Sequence, residues 1–568
     1  MNEGEPELNK RKSAMIGLSV LSSVSLALTA CGGENSSDTS PEKPNTTASA
    51  PNAASADPAG KYEPPITVHS IRPVDSTVTY DAGEDITNNR WSDYFKNELG
   101  IDIVYDWTTA KNDDYTNKLN VIIASGDKPA DIYQVNASQL QQLADAGVLA
   151  DLNEAFDKYA SPLTKKLMNG DGGKSMSSAT FDGKLLALPQ GSATITSNDV
   201  LWIRTDWLKN VGLSEPKSID DLVKIADAFV NQDPDKNGKK DTLGLGITQG
   251  PSLTNGGVAD LGGWFAGFKA YPDRWVKDAA GQAVFGSIQP EVKQALAKLQ
   301  EMYKSGLIDK EWAVKDSDKF GEDVLTNKVG MWYGANWNSM YPIDISKNKD
   351  LLQVKPFSLV AVDGKQPVVQ AVDPSVNNYF VVNKDFKHPE AVVKLMTAFQ
   401  EKLWGESSEF EKYGTNANQS VSYFKYPLVQ SWPATKDIPD NLDAVRAALS
   451  ANDTSKLNSE QKGIYTSIKA FNDGDIVKGY STARQYDAFE VIKKDDLNNQ
   501  LFSLFYGAPT PTMVEKKQAL DKLEQEVFTK IIMGAVPVDE FDKFVADWKK
   551  LGGDQITQEV NDWVASHK

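Results

Sequence analysis

Residues 101–107 read IDIVYDW. β-Branched and aromatic side chains fill this short run, a composition that favours an extended strand. On its N-terminal side, helical periodicity runs from Trp91 to Leu99, and ITVHSIR at 66–72 reads as an earlier strand. On its C-terminal side, a helix passes through Val121 and Ile122 before a third strand, ADIYQV, at 130–135. Strands spaced by helices imply parallel pairing and an α/β layer structure. Further out, Phe181-Asp182-Gly183-Lys184 has the Asp-Gly chemistry of a hairpin turn, and LWIRTDWL (201–208) opens what reads as a second α/β unit. Past residue 400 the pattern turns mostly helical. Val514, Leu520, Leu523, Val527, Ile531 and Ile532 recur at helical spacing, with Gly534 as a stop. Phe541, Phe544, Val545 and Trp548 mark a further helix closed by Gly552 and Gly553.

The N-terminus speaks to compartment. Lys10, Arg11 and Lys12 precede an apolar run from Met15 to Ala30, shorter than the roughly 20 residues a membrane span needs. The run ends in Leu28-Thr29-Ala30-Cys31, which resembles a bacterial lipobox. On that reading residues 1–30 are a lipoprotein signal peptide and Cys31 is acylated; the alternative is an ordinary signal peptide with a chance cysteine. Cys31 is the single cysteine among 568 residues, so the rest of the chain has neither a disulfide nor a thiolate zinc site. Residues 31–62, rich in Ser, Thr, Pro, Asn and Ala, read as a flexible tether. The net charge of −18 repels nucleic acid and anionic headgroups, which leaves the lipid anchor as the membrane contact.

Residues 233–242, DPDKNGKKDT, follow a helix whose start is marked by Ser218 and Asp221 as a capping box and whose apolar face is Ile219, Leu222, Val223, Ala226, Phe229 and Val230. Asp233, Asp235 and Asn237 hold positions 1, 3 and 5 of a D-x-D-x-N-G calcium loop. Gly238 stands at the sharp turn, Lys239 offers a backbone carbonyl at position 7, and Asp241 stands at position 9. Position 12 is Gly244 rather than a bidentate Glu, and TLGLGI (242–247) reads as a strand. The expectation is a structural Ca2+ site of helix–loop–strand form; a metal-free polar turn is the alternative.

Catalytic parts are scarce. The three histidines, His69, His388 and His567, are far apart, and no P-loop or G-x-G-x-x-G follows a strand. Thirteen Trp and nineteen Tyr include several in polar or glycine-rich contexts. Trp264 lies in GGWFAG, Trp337 between Asn336 and Asn338, Trp107 at a strand end, and Tyr379 in DPSVNNYF. A pyranose presents apolar C–H faces and a rim of hydroxyls, so flat rings beside amides and carboxylates suit it. Trp337 and Trp264 are the candidate stacking rings. Asn336, Gln134, Asp373 and Asn377 are the candidates for hydroxyl binding, with Trp107 and Tyr379 beside them.

With these features in hand, the chain resembles the extracellular solute-binding lipoproteins of carbohydrate ABC transporters, in particular the large calcium-loop branch that includes alginate-oligosaccharide binders. The matching stretches include ASGDKPADIY (124–133), LADAGVLADLNEAFDKYASP (143–162), FDGKLLALP (181–189), NKVGMWYG (327–334) and NYFVVNKDFKHPEAVVKLM (378–396). The resemblance implies a two-lobed, periplasmic-binding-protein-like fold of type II, with a hinge and a helical C-terminal extension. Lobe 1 would hold 63–192 and 366–405; lobe 2 would hold 193–365 and 406–568. Chain crossings would fall near LPQGS, near Gln370 and after Trp404. Trp337 falls where such proteins place a sugar-stacking tryptophan, whereas Thr242 replaces the Glu that often follows the last Asp of the loop. The implied function is a monomeric, non-enzymatic receptor on the outer face of a Gram-positive cell membrane. It would pass an oligosaccharide to two permease subunits and their ATPase. A tethered carbohydrate-active enzyme and a surface sensor or adhesin of the same fold remain the alternatives.

Overall fold

Eight strands position the candidate site: β1 (Ile66–Pro73), β2 (Ile101–Thr109), β3 (Ile132–Val135), β4 (Ala187–Gly191), β5 (Asp199–Arg204), β6 (Met331–Ala335), β7 (Val354–Phe357) and β8 (Val376–Val382). The computed structural model describes residues 57–566 apart from 59, 75–77, 192–197, 251, 255–256, 367, 373–375, 416–420, 433–437 and 496–499. IDIVYDW lies in β2 and pairs in parallel with β1, Ile66 opposite Ile101. β1 also pairs in parallel with β3. β8, from far along the chain, inserts antiparallel between β3 and β4, so the first sheet runs β2-β1-β3-β8-β4. The parallel pairing expected of the first three strands is present. The hairpin turn at Asp182-Gly183 also forms, both residues at positive φ.

Val68, Ile71, Ile101, Ile132, Tyr133, Leu188 and Phe380 form the first core with the helix Ala391–Trp404. It reaches beyond both boundaries drawn from sequence. Tyr62 is buried in it and donates from its hydroxyl to Glu390 Oε1 at 2.8 Å. Lys394 Nζ donates to the carbonyl of Asp57 at 3.0 Å, so the expected tether ends before residue 57. Tyr413, Tyr423, Tyr426, Leu428 and Val429 pack on the same core, past the crossing expected after Trp404. The Arg72 guanidinium pins this later segment: Nη1 donates to the carbonyls of Tyr426 (2.7 Å) and Pro427 (2.9 Å), and Nη2 to that of Lys425 (3.0 Å).

LWIRTDWL does open a second unit, but its sheet is antiparallel, in the order β6-β5-β7. Every residue of β5 is buried, because both faces are covered. Leu201, Ile203, Met331 and Tyr333 face one core; Val200, Trp202 and Trp332 face another. This is the period-two alternation of a strand, applied to a sheet with no wet face. Helix Pro511–Ile532 buries Met513, Leu520, Phe528, Ile531 and Ile532 in the first of these cores. Helix Glu540–Trp548 joins it, but Gly552, at φ 136, does not end the chain's helical course: a π-turn carries it into Asp554–Ser566. Helices Ile438–Ala451, Ser459–Asn472 and Ile476–Lys494 enclose the other core. Among the described residues, no helix is long and apolar enough to cross a membrane.

Candidate ligand site and metal loop

Strand pairing brings together amides that are distant in sequence. β8 sets Phe380 opposite both Gln134 and Leu188, and Asn378 opposite Gln190. The half-buried Gln134 Nε2 donates to Gln190 Oε1 at 3.0 Å, and Asn378 Nδ2 donates to the same oxygen at 3.3 Å. Trp107 is half-buried nearby, 5.4 Å from the ring of Tyr115, whose hydroxyl donates to the Gln134 carbonyl at 2.6 Å. Lys118 Nζ sits 4.0 Å above the Trp107 ring, so that face already holds a cation. Gln190 and Asn378 were not singled out in the sequence; their signal is the strand register, which only the fold supplies.

On the second unit, the turn after β6 holds Asn336 to Ser339. Asn336 is fully buried and accepts from Gln485 Nε2 of helix Ile476–Lys494 at 3.1 Å, so its amide oxygen is engaged within the protein. Trp337 is half-buried and sets the edge of its ring against Gly257, at φ 65, where an added Cβ would stand 2.5 Å from Cζ2 and 3.3 Å from Cη2. Asn338 fixes this pairing: it accepts the Trp332 indole N–H (3.0 Å) and donates to the Gly257 carbonyl (2.7 Å).

Two expected aromatics are core residues instead. Trp264 is 0% exposed, donates its N–H to the Ala295 carbonyl at 3.3 Å and packs on Phe268. The glycines of GGWFAG are there for close approach: a Cβ on Gly263 would meet Tyr333 at 2.5 Å, and one on Gly267 would meet the Val360 carbonyl at 2.4 Å. Tyr379 is buried, with its hydroxyl donating to Ser178 Oγ at 3.0 Å. Asn377 belongs to β8, but its side chain lies outside the described residues, as do Asp373 and Cys31.

The helix before the metal loop forms as expected, but TLGLGI makes isolated bridges at Leu243, Leu245 and Gly246 rather than a strand. Ser218 Oγ caps helix Ile219–Asn231 by accepting from the Asp221 N–H, although Asp221 returns its bond to the Lys217 N–H rather than completing the capping box. Asp233 Oδ1 and Oδ2 accept from the backbone N–H groups of Asn237 (3.1 Å) and Gly238 (3.0 Å). Asn237 Nδ2 donates to Asp235 Oδ2 (2.7 Å) and to Asp241 Oδ1 (3.1 Å). Burial, with Asp233 and Asp241 close by, holds the Asp235 carboxyl above its ordinary value. Among the described residues, no set of three or more His, Cys, Asp or Glu side chains is drawn up in metal-binding geometry. The donor set nevertheless suits a hard cation. Its groups are hard oxygen donors, and the Asn237 amide bridges the Asp235 and Asp241 carboxylates. Thr242 does not substitute for a ligand; its hydroxyl donates to the Phe229 carbonyl at 2.6 Å. Gly244 is confined between helix Ile219–Asn231 and the segment at Leu307, because a Cβ there would stand 2.7 Å from the Leu307 carbonyl and 2.8 Å from Ala226 Cβ.

Known proteins share this architecture. The chain is 25% identical over 477 residues to lipoprotein LipO of Bacillus subtilis, covering 83% of this chain and 87% of that protein. It is 28% identical over 356 residues to the fructooligosaccharide ABC transporter substrate-binding protein FusA of Streptococcus pneumoniae, covering 61% and 63%. The structure of FusA in complex with kestose superposes with a TM-score of 0.58 at 19% identity, covering 89% of this chain and all of that one. Alginate-binding protein AlgQ2, solved without calcium ion, superposes at 0.57 and 15% identity, covering 90% of this chain. These neighbours share the two-lobed α/β fold with a hinge. The family model for bacterial extracellular solute-binding proteins matches residues 72–402, more than half of the chain, and the chain therefore belongs to that family.

Proposed function

We propose that this chain is a lipid-anchored receptor that captures an oligosaccharide between its two lobes and delivers it to an ABC importer. The observation that carries the reading is the half-buried Trp337, whose ring edge is fixed against Gly257 and whose indole would offer an apolar stacking surface. The Gln134–Gln190–Asn378 amides on the first sheet add the hydroxyl-binding chemistry a sugar rim needs. The fructooligosaccharide assignment of FusA and the lipoprotein assignment of LipO support the ligand class and the anchor, which would be Cys31 on the outer face of the membrane. Lobe 1 would be built on the first sheet and lobe 2 on the second, with chain crossings next to Asn198 and Gln370. Gln370 supports a crossing there, since its amide both donates to and accepts from the Asp199 backbone. Closure would sandwich the glycan and present a composite surface to two permease subunits and their ATPase.

Asp233, Asp235, Asn237 and Asp241, with the Lys239 carbonyl, would hold Ca2+. When bound, the ion supplies fixed positive charge that ties a loop to the end of helix Ile219–Asn231. Asn237 would turn its amide oxygen inward, and Asp235 would become a better acceptor once its neighbours' charge is neutralised.

A thermal-shift screen against neutral glycans including kestose, with and without calcium, tests this function, followed by analysis of the recovered glycan. Binding to the native state raises Tm by mass action. The expected result is a saturable rise for an oligosaccharide recovered intact. A panel without any shift, or a cleaved glycan, would sink the reading.

A further inference from the structure

Asp199 and Asp260 form a carboxyl pair that the ligand platform depends on. Asp199, the first residue of β5, is fully buried and is hydrogen-bonded to the Asp260 side chain. Asp199 Oδ2 accepts from the Gly263 N–H at 2.7 Å. Asp260, also buried, accepts from the Gly257 N–H through Oδ2 (2.6 Å) and from the Gly262 N–H through Oδ1 (2.9 Å). A Cβ on Gly262 would stand 2.8 Å from Asp199 Oδ2 and 3.3 Å from Asp260 Oδ1, so both acids crowd one small space. Two carboxylates in hydrogen-bond contact cannot both be acceptors; one must hold a proton.

The pair is wired to the platform. Gly257, held by Asp260, abuts the edge of the Trp337 ring, and its carbonyl accepts from Ala335 N–H (3.0 Å) and from Asn338 Nδ2 (2.7 Å). The backbone of Asp199 is clasped by the Gln370 amide, where the chain passes back towards the first sheet. Among the described residues, helix Gly262–Gly267 turns backbone N–H groups to the pair, Gln370 brings an uncharged amide, and β6 brings the buried Tyr333, whose phenol is itself pushed up by burial and by Asp199. Burial and the neighbouring Asp260 hold the Asp199 proton far above the ordinary carboxylate range.

We infer that Asp199 and Asp260 are positioning residues that share one proton, and that this proton holds Gly257 and hence Trp337 in binding geometry, so that glycan capture weakens as the solution becomes alkaline. This deepens the proposed function and rests on Trp337 being a sugar platform. The sign follows from the proton count. The native pair binds a proton that the unfolded chain has lost above the ordinary Asp range. Native stability at this spot therefore falls as pH rises and is gone once the second proton leaves. Two like charges then face each other, and Asp260 is pushed off the N–H groups of Gly257 and Gly262.

The test compares wild type with Asp199→Asn. The amide keeps an oxygen for the Gly263 N–H and a permanent N–H for Asp260, so it copies the protonated state without titrating. The ligand-free readout is the fluorescence of Trp337, taken as the difference between each protein and its Trp337→Phe counterpart, with iodide quenching from about pH 6 to about pH 10. The expected result is increased quenching with rising pH in wild type and a flat profile in Asp199→Asn. Kestose affinity should fall several-fold over the same range in wild type and stay level in the variant. The idea is overturned if both proteins show the same transition, or if both are flat. Failure of wild type to bind kestose at any pH would count against kestose as a ligand of the proposed receptor, while the quenching comparison would still decide the role of the pair. If Asp199→Asn is poorly folded by circular dichroism, Asp260→Asn takes its place, with retention of the wild-type transition overturning the proposal.

Discussion

Trp337 and Trp264 stand in similar sequence surroundings, tryptophan among glycines and small residues, and the structure separates them completely. Glycine beside a tryptophan signals close approach, and close approach occurs both under a platform and inside a core. Gly257 lies against the edge of the half-buried Trp337; Gly263 and Gly267 let the helix that carries the fully buried Trp264 close on Tyr333 and the Val360 carbonyl. The two therefore predict opposite phenotypes. Trp337→Ala should weaken kestose binding by about 1 kcal/mol or more while leaving Tm nearly unchanged, as isothermal titration and calorimetry would show. Trp264→Ala should cost roughly 3–5 kcal/mol of stability in a denaturant titration, because it empties a large buried volume. Glu524 offers a pH test at the same scale. It is buried, accepts from Ser287 Oγ at 2.9 Å, and is held well above the ordinary Glu value by burial, with Asp273 adding to it. The native state keeps a proton that the unfolded chain releases, so wild-type stability falls as pH rises from the ordinary Glu range through the raised native value. Glu524→Gln should flatten that slope in urea melts taken across pH. An unchanged slope would mean Glu524 is not protonated in the native protein. None of these environments is written in the local sequence. Gln190, Asn378 and Gln485 were invisible for the same reason, since each acquires its meaning from a partner 100 or more positions away.

Elements were more legible where their signals are local. Strands β1 to β3 and the Asp-Gly hairpin followed from side-chain type, period and turn chemistry, and so did helices Ile219–Asn231 and Pro511–Ile532. LWIRTDWL marks the start of a second unit, but not the direction of its sheet, because β5 pairs with β6 and β7, strands that come much later in the chain and run antiparallel to it. Direction of pairing leaves little trace in a strand that is buried on both faces. The metal loop was read from ligand spacing, and the structure adds why its twelfth position is glycine. The chain there threads between the Ala226 carbonyl region and Leu307 with no room for a side chain. Gly244→Glu, which would complete the calcium consensus on paper, should therefore destabilise the protein by roughly 1–3 kcal/mol or more through overpacking, with or without calcium. A gain in Tm on that substitution would show that the loop can be re-formed as a full EF-hand.

At the scale of the molecule, calcium and charge act together. A chain of net charge −18 gains from any bound cation. If the loop is occupied, calcium at about a hundredfold excess over its Kd should add about 3 kcal/mol, and EDTA should lower Tm accordingly. The two-lobed class was legible from strand and helix alternation together with family-like stretches; the extent of each core was not, because Tyr62 and the segment around Tyr426 are joined to it by contacts rather than by pattern. The Arg72 clasp carries a practical consequence. The family match stops at residue 402, which invites a shortened fragment ending there. Such a fragment would discard the carbonyls of residues 425–427 and strand a guanidinium in the interior, a loss on the order of 3–5 kcal/mol. Trimmed protein should accumulate in inclusion bodies, whereas one retaining the ribbon through Trp432 keeps that cation solvated by backbone.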